Sequence, residues 1–230
     1  MRSPPDVGVV IVAAGQGVRA GGEGPKQFRE LAGVPMLLWS LRTFLSHPAV
    51  GPVVVVLPAA VAAAPPGWLG DLLGERLRLV AGGVERIDSV ERGVEALGGT
   101  CAVVVVHDGA RPFVERDTVD AVIATARAGQ GAVAAIPVSD TLKRGVGTRI
   151  EATVPRDGLW RAQTPQAFPR ELLAAGLTRA RALGMVATDD AAMVEAAGGT
   201  VVLVPDRSTN LKVTTPEDFA IAEAVARGRR

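Results

Sequence analysis

The residues best suited to chemistry are cations and an acid set beside glycines, each group following an apolar run. Residues 10–28, VIVAAGQGVRAGGEGPKQF, pass from β-branched side chains into Gly15 and Gly17 and then present Arg19 and Lys26. Glycine lets backbone approach a phosphate with no Cβ in the way, and the cations can neutralise it. Residues 103–114, VVVVHDGARPFV, end an apolar run on Asp108 and place Arg111 in the following turn. An acid there can bind magnesium or fix an attacking group, and an arginine can clamp a phosphate. Residues 81–90, AGGVERIDSV, add Gly82, Gly83, Arg86 and Ser89; residues 187–195, ATDDAAMVE, add Thr188, Asp189 and Asp190; Lys212 stands in residues 208–218, STNLKVTTPED. Arg19, Lys26, Arg111 and Lys212 together suit an anionic, phosphate-bearing ligand. Each group also has a plainer reading, as a surface turn, an Asp-Gly turn, a helix cap or a solvated lysine.

Other chemistries fit less well. Gly15-Gln16-Gly17 begins like a dinucleotide fingerprint and Ala20 stands at its third small position, but Gly21, Gly22, Gly24 and Pro25 break the chain where a helix should start. A P-loop would need Gly-Lys-Ser/Thr. His47, His107 and the lone Cys101 are too few for a zinc site, leaving a hard cation bound by oxygen as the metal to expect. His107 reads as a structural hydrogen-bonding residue, and no nucleophile triad is apparent. With 25 basic and 24 acidic side chains the net charge is +1, so no global field draws nucleic acid. No apolar run approaches the roughly 20 residues of a membrane span, and the first six residues lack a signal-peptide core, so a soluble, cytoplasmic protein with no membrane partner is expected.

The elements that must position these residues alternate. Runs at 7–12, 53–57, 77–80, 103–106, 132–138 and 200–204 are largely apolar, β-branched and not alternating, as strands buried on both faces of a parallel sheet are. Helical stripes lie between them: Leu37, Leu41, Phe44 and Leu45; Val90, Val94 and Leu97; Val119, Val122 and Ile123; Leu172, Leu173 and Leu177. Strand alternating with helix predicts one doubly wound α/β domain over residues 1–230. Thr215-Pro216-Glu217-Asp218 predicts the start of the last helix, with N-cap, proline at the first position and an acid three residues after the cap. Residues 141–154, TLKRGVGTRIEATV, break the alternation with two polar, β-prone stretches around Gly145 and Gly147. They predict a projecting hairpin arm at about 138–158. An isolated hairpin is marginal in water, so the arm is expected to pack on a second subunit.

The blocks AAGQGVR, PKQF, GGVERIDSV, VHDGARPFV, PVSDTLKR, RDGLWRAQTPQAF, TDDAAMVE and NLKVTTPED occur in this order between residue 9 and about residue 222. In this the sequence resembles the 2-C-methyl-D-erythritol 4-phosphate cytidylyltransferases. The resemblance implies a Rossmann-like nucleotidyltransferase fold in three layers, with a mostly parallel central sheet and a β-hairpin arm. It implies CMP transfer from CTP to methylerythritol phosphate, with release of pyrophosphate and with magnesium, in a homodimer. By position, Arg19, Lys26 and Lys212 become catalytic, the first two on the CTP phosphates. Ala13, Ala14, Gly15, Gly82 and Ser89 surround the cytidine, with Gly17 in the same CTP loop. Asp108, Arg111, Thr188 and Lys212 hold the acceptor, Asp108 also being the candidate metal ligand. Thr141 and Arg156 reach the acceptor from the partner's arm. Val84 departs from the family, standing where an acid is usual, and Ala20 replaces a larger apolar residue. Because the sequence stops short of the fused cyclase that some relatives carry, a single activity is expected. A ribitol 5-phosphate cytidylyltransferase, a dinucleotide oxidoreductase and a non-catalytic nucleotide-binding module are the alternatives.

Overall fold

Most strands of the central sheet are the apolar, β-branched runs, because its helices cover both faces. The structure, a computed structural model, describes residues 5–15 and 26–229. In chain order its elements begin with β1 (Val7–Val12), a 3₁₀ turn (Lys26–Phe28), the short β2 (Glu30–Leu31) and β3 (Val34–Pro35), α1 (Met36–Leu45) and β4 (Val50–Leu57). Next come α2 (Ala59–Ala63), α3 (Gly67–Gly70), β5 (Leu77–Ala81), α4 (Arg86–Ala96), β6 (Val103–Asp108), α5 (Arg116–Arg127) and β7 (Gly131–Pro137). The chain continues through β8 (Leu142–Val146), β9 (Arg149–Val154), β10 (Trp160–Pro169), α6 (Arg170–Ala182), α7 (Asp190–Ala196), β11 (Val201–Pro205) and α8 (Pro216–Arg227).

Seven strands form one sheet in the order β11-β7-β10-β6-β1-β4-β5. All pairings are parallel except those of β10, which runs antiparallel between β6 and β7. Alternate residues of the strands serve opposite layers. Val9, Ile11, Val53, Val55 and Val105 pack with Leu37, Leu41 and Phe44 of α1 and Val119, Val122 and Ile123 of α5. Val10, Val54, Val56, Val104 and Val106 pack with Val90 and Val94 of α4, Leu173 and Leu177 of α6 and Met193 of α7. The three-layer α/β arrangement and every sequence-predicted strand are present.

The strand β10 was not legible as a strand. It carries Gln163, Thr164, Pro165 and Gln166, and its pairing with β7 shifts register between Ala162 and Gln166. That irregularity is where an internal strand can accommodate a proline. The predicted helix start is observed at α8: Thr215 Oγ1 accepts from Asp218 N at 3.2 Å and Asp218 Oδ2 accepts from Thr215 N at 2.9 Å. The predicted hairpin is β8–β9, a separate two-stranded sheet turning at Gly147, whose φ of 57° favours glycine. Val146 and Ile150 on it are 66% and 62% exposed, the mark of an apolar surface without cover inside this chain.

Candidate functional site

Strand order reverses beside β1. The chain lays β4 and β5 on one side, then returns to place β6 on the other, with Val12 paired to Asp108 at the carboxyl ends. Such a switch point opens a crevice between diverging loops, where α/β proteins bind ligands. A cleft of about 260 Å³ lies there.

Its floor is the loop after β1. Ala13 N donates to Val56 O at 2.8 Å, and buried Gln27 donates through Nε2 to Ala13 O at 2.5 Å. Lys26 Nζ donates to Val213 O at 2.8 Å, so residues from opposite ends of the chain meet at one rim. The wall is the turn into α4. Ser89 Oγ accepts from Gly83 N at 3.2 Å and donates to Glu85 O at 3.3 Å, fixing that turn. Val84, fully exposed, stands at the cleft's edge.

The centre is a charge network. Asp108, 6% exposed, takes Arg86 Nη1 on Oδ1 at 2.7 Å and Lys212 Nζ on Oδ2 at 2.8 Å, with Arg111 Nε 3.8 Å from Oδ2. The other arm of Arg86, Nη2, reaches Asp190 Oδ2 at 2.7 Å. Burial alone would raise the Asp108 carboxyl, but Arg86 and Lys212 outweigh it and hold it well below the usual carboxylate range. Burial likewise opposes the Arg86 charge, and Asp190 and Asp108 together overcome it and hold Arg86 firmly protonated. Fully buried Asp190 is pushed up by burial, with Arg86 pulling the other way.

A second network holds Asp108 from behind. His107 Nε2 lies 2.9 Å from Arg111 O, and a carbonyl only accepts, so the ring is protonated at Nε2. Nδ1 therefore accepts from Thr164 Oγ1 at 3.0 Å, and that oxygen accepts from Asp108 N at 2.9 Å. Burial lowers the His107 pKa to about 4, so the ring is neutral at ordinary pH. Asn210 Nδ2 donates to Thr164 O at 2.8 Å and to Asp206 Oδ2 at 2.6 Å, anchoring the segment that carries Lys212.

The cleft thus brings together Ala13, Ala14, Gly15, Lys26, Ser89, Asp108 and Lys212. Arg19 and Gly17 lie outside the described residues. Gly82 does not line the cleft and Gly83 does. A Cβ on Gly82 would stand 2.4 Å from Ala14 Cβ and 2.9 Å from Ser89 Oγ, so Gly82 is small to let floor and wall meet. Arg111 sits behind Asp108, 8% exposed, and spends Nη1 on Asn210 O at 2.8 Å. Thr188 is exposed two residues before Asp190, outside the cleft lining. Thr141 and Arg156 lie exposed at the neck of the hairpin, where Arg156 donates to Ser139 O, and neither lines this chain's cleft. Sequence reasoning did not assign Gln27, Thr164 or Asn210 to the site, and it noted Asp190 beside Thr188 with a helix start as the plainer reading. Their partners are distant along the chain, and a polar residue amid loops carries no signal of such pairing.

A doubly wound sheet with a cation-rimmed, glycine-walled cleft at its switch point is the form an α/β enzyme gives a site for a phosphate-bearing ligand. The chain belongs to the IspD family, 2-C-methyl-D-erythritol 4-phosphate cytidylyltransferase, whose family model matches residues 7–228. It is 44% identical to the 2-C-methyl-D-erythritol 4-phosphate cytidylyltransferase of Salinibacter ruber, over 94% of this chain and 91% of that one. It is 45% identical to the bifunctional enzyme IspD/IspF of Rhodospirillum rubrum, over 96% of this chain but 57% of that one. The crystal structure of the Thermus thermophilus cytidylyltransferase superposes with a TM-score of 0.82 at 38% identity, covering 96% of this chain and 99% of that one. The family and fold expected from the sequence are borne out. Among the described residues no helix is long and apolar enough to cross a membrane.

Proposed function

We propose that this chain transfers CMP from CTP to 2-C-methyl-D-erythritol 4-phosphate in the cleft between β1 and β6. The observation that carries the reading is the placement of Lys26 and Lys212 on one cleft, Lys26 being tied to the carbonyl of Val213, next to Lys212. A phosphate oxygen of the acceptor attacks the α-phosphorus of CTP, the bond from that phosphorus to the bridging oxygen breaks, and pyrophosphate leaves. The attacking phosphate is already anionic near neutral pH, so no general base is required, which agrees with a neutral, fully buried His107. Catalysis then rests on positioning and charge neutralisation. Lys26, together with Arg19, neutralises the triphosphate. The loop of Ala13, Ala14 and Gly15 and the wall of Gly83 and Ser89 frame the cytidine. Lys212, oriented by Asp108, serves the acceptor and the α-phosphate, with Thr188 and Arg111 on the acceptor side.

Magnesium accompanies the CTP phosphates in this reading, as Mg·CTP. The described residues do not fit an ion held by Asp108: its Oδ1 is engaged by Arg86 and its Oδ2 by Lys212, and no cluster of three acidic, histidine or cysteine ligands occurs among the described residues. The working unit is a homodimer in which Thr141 and Arg156 of one arm complete the other subunit's acceptor site. The uncovered Val146 and Ile150 support this.

Pyrophosphate release from CTP, measured with methylerythritol 4-phosphate and with ribitol 5-phosphate as acceptors, tests the reading. Release with the first acceptor is expected; none with it, or preference for the second, would overturn the assignment. Lys26→Met and Lys212→Met should each lower kcat by a factor on the order of 100 to 1000, as loss of one preorganised donor to a developing charge does.

A further inference from the structure

Arg86 has no assigned part in the chemistry, yet it joins three separate parts of the site. It leaves the first turn of α4, immediately after the wall at Gly83 and Val84. Its Nη1 reaches Asp108 at the end of β6 and its Nη2 reaches Asp190 at the first turn of α7, both at 2.7 Å. The Asp190 carboxylate is fully buried, and among the described residues its Oδ1 has no hydrogen-bond partner, so the guanidinium is its charge partner. An ion pair that only fastened α4 to α7 would need no contact with Asp108. Here Arg86 occupies Oδ1 of Asp108 and leaves Oδ2 facing Lys212 at 2.8 Å. The orientation of Lys212 therefore depends on which oxygen Arg86 takes. A planar fork reaches two carboxylates at once, whereas a lysine presents a single ammonium.

We infer that Arg86 is a positioning residue that couples the nucleotide wall to the acceptor side of the cleft, by fixing Asp108, and through it Lys212, while holding the Asp190 turn that follows Thr188. The inference rests on the proposed reaction. It separates Arg86 from a merely structural bridge because it requires the acceptor step to suffer more than nucleotide binding.

The test uses the full-length chain with Arg86→Lys, Arg86→Gln, Asp190→Asn and the double variant R86K/D190N. Thermal melting, CTP binding by calorimetry, and kcat and KM for both substrates are measured. CTP binding is expected to stay within about threefold of wild type for R86K while kcat falls by a factor on the order of 100, the scale of a small misplacement at a reacting centre. KM for methylerythritol phosphate should rise about tenfold in R86K and in D190N, and the double variant should be no worse than R86K, as for residues acting as a unit. Unchanged kinetics in R86K, equal losses for both substrates, or additive effects in the double variant would each overturn the coupling role. If the arginine variants do not fold, the milder D190N decides: a normal acceptor KM there overturns the role. A wild type that releases no pyrophosphate with methylerythritol phosphate would instead sink the functional reading, and this inference with it.

Discussion

Lys212 Nζ stands 2.8 Å from Asp108 Oδ2, and Asp108 Oδ1 is held by Arg86 at 2.7 Å, so a single buried carboxylate organises cations from α4 and from the segment before α8. Asp108→Asn keeps the shape and removes the charge. Breaking a buried pair leaves its partners uncompensated, and the half-exposed Lys212 can turn to water, so a loss of about 3 kcal/mol of stability is expected, at the low end for such a change. Activity should fall on the order of 100-fold, because Lys212 loses its orientation. Urea denaturation and pyrophosphate release measure the two effects; a variant as stable and active as wild type would contradict the network's role.

Gly82 makes a different kind of contribution. With a Cβ placed 2.4 Å from Ala14 Cβ and 2.9 Å from Ser89 Oγ, Gly82→Ala must push the β1 loop from the α4 turn. Overpacking of this sort costs about 1–3 kcal/mol. Because floor and wall both move, KM for CTP should rise more than KM for the acceptor. Steady-state kinetics with each substrate varied in turn would show it.

What the sequence made legible follows from local physics. The strands β1, β4 and β6 were readable because both faces are buried, which forces apolar residues at every position. The strand β10 lies between β6 and β7 in the same sheet, yet it was hidden because Gln163, Thr164 and Gln166 turn to Asn210, His107, Asp189 and the α7 backbone instead of to the core. Asp108 could be picked out because it ends an apolar run beside a glycine, and Lys26 because it closes a glycine-rich loop after β1, whereas Lys212 reads alone as a solvated lysine and was singled out through the family resemblance. The Arg86–Asp190 pair could not, since its members are 104 residues apart and each reads alone as part of a helix start. Gly82 and Gly83 are equivalent as letters; only the backbone path decides that Gly82 packs against Ala14 and Ser89 while Gly83, close against Asp88, also lines the cleft.

His107 sets a pH dependence of stability. Its folded pKa is about 4, chiefly because burial disfavours the charged ring, against an ordinary value of 6.5. Between these values the unfolded chain binds a proton that the folded chain refuses, so stability rises with pH through the window and its contribution levels off above it. The span corresponds to about 3 kcal/mol lost on acidification from pH 6.5 to pH 4. Urea midpoints over a range of about pH 4–8 should show this slope, and His107→Gln should remove most of it; an unchanged slope in that variant would assign the effect elsewhere.

The hairpin gives the sharpest test of subunit architecture. Thr141 and Arg156 lie at its neck, away from this chain's own cleft, while Lys212 lines that cleft. If each acceptor site combines one subunit's cleft with the other's arm, Lys212→Met and Arg156→Met disable different halves of a site. Each homodimer should be nearly inactive. After subunit exchange, half of the dimers are mixed and each mixed dimer has one intact site, so a two-fold symmetric assembly should regain about a quarter of wild-type activity. Arms acting within their own chain would leave the mixture inactive. Ile150→Asp supplies the physical counterpart: a charge on this 62%-exposed apolar position should shift the species seen by light scattering from dimer to monomer and abolish the recovery. Recovery that survives in a monomeric variant would show that the arm is not what carries Arg156 to the site.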